Sequence, residues 1–162
     1  MKKQLDWRNW AGVGAPLWPL ALARMAIGVL WLFSLRWKLP PTFAPPAGVR
    51  GLADWMTLMT QHPVVAAYGA FVETVVLPNF TLFAWLIFLG ELVAGLSLLL
   101  GWKVRWGALL GAALSFNLLI GMSEVPGEWP WSYLMMVMWH GVFWLTDAGR
   151  VLGLDARASG RP

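Results

Sequence analysis

The chain of 162 residues has no cysteine. Disulfides, thiol catalysis, cysteine-ligated zinc and iron–sulfur clusters are therefore excluded. The absence leaves the compartment open. Histidine is scarce, and of the two present only His140 falls in an apolar stretch. A haem held between two histidines of this chain is not expected. Charge is scarce as well. Charged residues make up 12%, about half the share usual in soluble domains. Mean hydropathy is +0.61, and the apolar residues lie in long blocks. These features describe an integral membrane protein with little soluble mass. The net charge of +4 does not point to nucleic acid, because the basic residues flank apolar runs.

Four runs are candidates to cross a bilayer, at about residues 16–37, 80–101, 104–123 and 129–146. The hydrocarbon core asks for roughly 20 apolar residues, and the last two runs are short but sufficient with little tilt. The expected fold is all-α: a four-helix transmembrane bundle forming one domain. The Met1–Trp10 segment mixes Lys2, Lys3 and Arg8 with Leu5, Trp7 and Trp10. It lacks the short apolar core and small-residue site of a cleavable signal, and reads as a basic, aromatic segment on the membrane surface.

With four spans, Lys2, Lys3, Arg8, Lys103, Arg105, Arg150, Arg157 and Arg161 share one side. Only Arg36, Lys38 and Arg50 lie on the other. The excess places both termini in the cytoplasm. Tryptophans 18, 37, 102, 106, 129, 131 and 144 fall near span ends, as interfacial belts do. Trp31, Trp85 and Trp139 lie deeper and either pack between helices or line a cavity.

The connection between the first two spans, residues 38–79, is far longer than the usual bundle loop. Leu39–Gly51 is rich in proline and glycine and cannot be a regular helix. Ala53–Gln61 suits a short amphipathic helix, and His62–Leu77 is apolar enough to lie on or dip into the outer face. The whole connection is expected to cap the bundle. In the third span, Gly107 and Gly111, followed by Ser115, let helix backbones approach closely. Packing within the chain is the expected use.

Glu91 is the only charge between Phe80 and Leu100. An ionisable group at bilayer depth usually faces a partner, a cavity or a substrate. With the cytoplasmic span ends taken as level, Arg24 lies roughly 10 Å deep, Glu91 roughly 15 Å and His140 roughly 9 Å. All three then share the cytoplasmic half. Arg24 either snorkels to the headgroups or pairs with Glu91, and the similar depths favour the pair. Glu91 either holds two helices in register or serves a quinone-like headgroup as proton acceptor or hydrogen-bond partner. His140 is a neutral histidine bonded to a neighbouring helix, or else a proton relay or a quinone ligand. Asn117 reads as helix glue or a contact to the same ligand. Met136, with Met135 and Met138, offers an adaptable apolar surface suited to an isoprenoid tail. Trp85 is a further candidate for that cavity. On the outer side, Lys38 and Arg36 with Arg50 can attract an anion. No metal site is expected.

Gly90-Glu91-Leu92-Val93-Ala94-Gly95, then Leu98–Gly101, Arg105 and Ala108-Leu109, resembles the core pattern of the DoxX-like membrane proteins. Ala23–Gly28 with Lys38 is similar to that family's opening helix, and Asp147–Asp155 to the tail of its DoxD branch. The resemblance covers Trp18 to Asp155. It implies a four-helix membrane bundle that serves as the small subunit of a thiosulfate:quinone oxidoreductase, with Arg24, Lys38, Glu91 and Arg105 as the matching polar positions. The function expected is thus a membrane subunit of a quinone-linked oxidoreductase in the inner membrane of a prokaryote, with other redox subunits as partners. The alternative is a non-catalytic accessory subunit of a larger respiratory or photosynthetic complex. A transporter ranks below both, because paired broken helices are not evident.

Overall fold

The computed structural model describes residues 17–158, and every regular element among them is helical. The segment Met1–Trp10 lies outside the described residues. The helices are α1 (Trp18–Ser34), α2 (Leu52–Gln61), α3 (Ala66–Phe71), α4 (Phe80–Leu100), α5 (Val104–Met122), α6 (Pro130–Leu145) and α7 (Leu154–Ala158). Short 3-10 turns extend α1 through Trp37 and precede α7. Three stretches are long and apolar enough to cross a membrane: Trp18–Trp37, Ala66–Leu100 and Val104–Met122. By length and composition these helices fit a membrane protein. The sixteen residues of α6 reach about 24 Å, less than the usual hydrocarbon core.

Glycines set the spacing between helices. A Cβ at Gly28 would lie 2.6 Å from the Leu99 nitrogen and 2.9 Å from the Gly95 oxygen, so α1 and α4 touch backbone to backbone. The Gly107–Gly111–Ser115 stripe is used inside the chain. A Cβ at Gly107 would collide with Ser97, and one at Gly111 with the His140 ring. Trp31, Ala94, Leu98, Ala108 and Phe143 fill the core between these helices.

The connection between α1 and α4 is more helical than its composition suggests. Leu39–Gly51 is irregular, as its prolines require, and contains the cis bond Pro40–Pro41. The helix expected over Ala53–Gln61 is α2. From Ala66 onward, however, helical turns continue without a break through a π turn (Val72–Val76) and a 3-10 turn (Leu77–Asn79) into α4. The expected loop is thus shorter than 38–79. Apolar residues with a single charge, Glu73, continue the helix, and Pro78 is tolerated at a turn where helical bonding already changes. This long helix is bent. On a straight helix Tyr68 would stand roughly 18 Å beyond Phe80. Instead its hydroxyl bonds Asn117 on α5, which lies level with the first turns of α4, because Gly90 faces Leu110 and Leu114. α3 therefore folds back over the helices.

The other end is closed by the C-terminal segment. α4 ends at Gly101, φ +67°, a left-handed position that suits glycine. Lys103, also left-handed, precedes α5. The Asp155 carboxylate accepts the Lys103 and Val104 amides at 2.7 and 3.0 Å. It thereby caps the N-terminus of α5 from across the chain.

Candidate functional site

Gly28 packs between Gly95 and Leu99, which puts Ser34 level with Glu91 and Arg24 level with Gly101. Arg24 and Glu91 are consequently about 15 Å apart along the helix axis. The favoured Arg24–Glu91 pair does not form. Level ends for α1 and α4 would bring the two charges together, but α1 starts about two turns lower. The register puts Glu91 beside the last turns of α1 and Arg24 beside the C-terminal end of α4.

Glu91 pairs with Lys38 at 2.5 Å, and both side chains are buried. Ser34 Oγ lies 2.5 Å from the other carboxylate oxygen. Ser34 and Lys38 are four residues apart, so the 3-10 turn that ends α1 brings both to one face. The Lys38 ammonium also lies 4.3 Å from the Trp37 ring centre. Each Glu91 oxygen thus has a donor, as a buried carboxylate requires.

Arg24 is fully buried and neither snorkels nor pairs with a carboxylate. Its guanidinium donates to the Leu98 and Leu99 carbonyls of α4 and to Val151 and Leu152 of the C-terminal segment. A helix C-terminus has orphan carbonyls and a partial negative charge, and this cation answers both. Arg24 is a clasp, remote from Glu91.

Because α1 ends halfway along α4, it leaves a space under α2 and α3. That space is a cavity of about 1020 Å³, large enough for a lipophilic ligand. Its walls are mostly apolar and include Leu30, Trp31, Met56, Val72, Ile87, Leu114 and Met136. Polar groups interrupt them at several places. One is Ser34–Lys38–Glu91. A second is Asn117, whose Oδ1 accepts from Tyr68 at 2.9 Å. A third is Tyr133, whose hydroxyl donates to Glu128. Arg50 also lines the cavity and lies over the Trp55 ring at 5.3 Å.

The expected site residues divide accordingly. Glu91, Lys38, Asn117 and Met136 line one cavity. Arg24, His140, Trp85 and Arg36 do not. His140 is fully buried. Its Nε2 accepts the Trp31 indole proton at 3.0 Å, and its Nδ1 lies 2.6 Å from the Met136 carbonyl. This pairing assigns a neutral ring protonated at Nδ1. Trp31 stands between it and the cavity. Trp85 packs edge-on against Phe43 and Phe88. Arg36 covers the Phe33 ring at 3.7 Å. Trp139 is 37% exposed and packs on Phe143.

Ser34, Tyr68, Glu128 and Tyr133 were not foreseen. The four-residue spacing of Ser34 and Lys38 was a usable signal. Tyr68 and Tyr133, the only tyrosines, were a weaker one.

Among the described residues no group of histidine and carboxylate side chains is placed to hold a metal ion. No family model, curated protein or solved structure matches this chain.

Proposed function

We propose that the chain is the membrane subunit of a quinone-linked oxidoreductase and that its cavity holds the quinone. The observation that carries this reading is the Lys38–Glu91 pair in the wall of a large apolar cavity. A buried ion pair between helices is often no better for stability than apolar packing. Its presence at a cavity wall is explained by a ligand with a polar head and an apolar body. The Lys38 ammonium has N–H groups beyond the one given to Glu91 and donates to a ring carbonyl. Glu91 is the acceptor for a ring hydroxyl in the reduced form. Met136, Leu30 and Ile87 suit an isoprenoid tail. The resemblance of Gly90–Gly101 and Asp147–Asp155 to the DoxD branch supports the same assignment, with a sulfur anion such as thiosulfate, or a partner redox subunit, as electron donor. Arg50 at the cavity wall is the cation best placed to attract an anion.

In this reading α6 crosses as a fourth span with little tilt. Leu39–Asn79 forms the cap on the outer face of a prokaryotic inner membrane, and both termini are cytoplasmic. The test is thiosulfate-dependent quinone reduction in membranes carrying the chain with its genomic neighbours. Activity that falls in Glu91→Gln supports the proposal. Absence of activity, or activity indifferent to Glu91→Gln, rejects it.

The second reading is a non-catalytic accessory subunit. Trp129 and Trp131, 66% and 60% exposed and stacked edge-on at 6.2 Å, favour it as a docking face. A chain that purifies from its native membrane as a lone monomer counts against it.

A further inference from the structure

Tyr68 and Asn117 come from elements remote in sequence and meet in the wall of the cavity that also contains Glu91. The Tyr68 hydroxyl bonds Asn117 Oδ1 and so fixes the amide. Asn117 Nδ2, which carries two protons, has no partner among the described residues. Asn117 is only partly buried and the cavity lies beside it.

The α4–α5 register sets the spacing. Gly90 faces Leu110 and Leu114, so Asn117 stands roughly 9 Å farther toward the cap than Glu91. The two groups are on different helices, which adds a lateral offset. A six-membered ring with oxygens at both para positions, hydrogen-bonded at each end, spans roughly 10 Å.

We infer that the cavity grips its ligand at two opposite oxygens: Lys38–Glu91 binds one and the Asn117 amide the other. Tyr68 is a positioning residue that holds the amide in its donating orientation. This inference rests on the quinone reading and narrows the ligand class to para-dioxygenated rings. Ligands with a single polar end, such as fatty acids or aryl ketones, engage only one station.

The test is equilibrium binding of two probes to the detergent-solubilised chain. One is a decyl-tailed para-benzoquinone. The other is an aryl ketone with the same tail. Wild type is expected to prefer the quinone about tenfold, the worth of one further hydrogen bond. Asn117→Leu removes that preference and leaves ketone binding unchanged. Tyr68→Phe, which keeps the amide, lowers quinone affinity severalfold and also spares the ketone. Wild type that binds the quinone, with both variants retaining its affinity or weakening both probes equally, overturns the two-station grip alone. Wild type that binds no quinone overturns the function proposed above as well. If Asn117→Leu does not fold, judged by its size-exclusion profile, Tyr68→Phe alone decides.

Discussion

Lys38 and Glu91 form a buried ion pair, 2.5 Å from nitrogen to oxygen, across the seam between the end of α1 and the middle of α4. Removing one partner leaves the other buried and uncompensated, at a cost of about 3–5 kcal/mol. Lys38→Met and Glu91→Gln are each expected to lower the midpoint of thermal unfolding in detergent. The double variant should regain most of the loss, because no lone charge remains. A double variant as unstable as the sum of the singles would show that the two groups are not coupled.

Arg24 joins α4 to the C-terminal segment through four carbonyls. Hydrogen bonds to a charged donor contribute about 1.5–3 kcal/mol each when buried. Arg24→Met should therefore destabilise the chain and expose the bond after Arg150 to limited proteolysis. Arg24→Lys should rescue little, since a single ammonium cannot span carbonyls from two segments. Quinone affinity of the folded fraction should be unchanged. A selective loss of binding in Arg24→Met would restore the idea that Arg24 serves the same site as Glu91.

Gly111 accepts the His140 ring in the space where a side chain would stand. Gly111→Ala should displace that ring and break the Trp31–His140 bond, costing about 1–3 kcal/mol through overpacking. The expected readout is a lower unfolding midpoint with a changed tryptophan emission spectrum. His140→Gln should lower stability with little effect on ligand affinity, because His140 lies behind Trp31 and not in the cavity wall. Strong loss of binding in His140→Gln, in folded protein, would make the histidine part of the site.

Most of the helices were legible in the sequence because length and hydropathy alone define them. α4 was expected at Phe80 and begins there, and the stop at Gly101 follows from glycine. The Gly107–Gly111–Ser115 stripe was correctly assigned to packing within the chain. His62–Leu77 is legible as an apolar segment, but apolar composition alone does not show that Ala66–Asn79 runs as helical turns straight into α4. Asn117, which reads from sequence first as helix glue, and Met136, an adaptable apolar side chain, both line the cavity. The partner of Glu91 was misassigned for a geometric reason. Sequence gives depth along each helix but not the offset between helices, and the Gly28–Gly95 contact sets that offset. Lys38, read as an outer anion-attracting cation, is thereby turned inward onto Glu91. Tyr68 could not be placed beside Asn117 without the bend after α3.

Quinone binding at Lys38–Glu91 is the central claim, and a titration tests it most directly. A decyl-tailed benzoquinone should bind the solubilised chain saturably. Lys38→Gln/Glu91→Gln, which leaves no unpaired charge, should stay folded and bind at least tenfold more weakly, as expected for loss of a charged hydrogen bond. Arg24→Met serves as the destabilised control and should retain wild-type affinity. Equal affinity in wild type and the double variant, or no saturable binding in either, would contradict the claim.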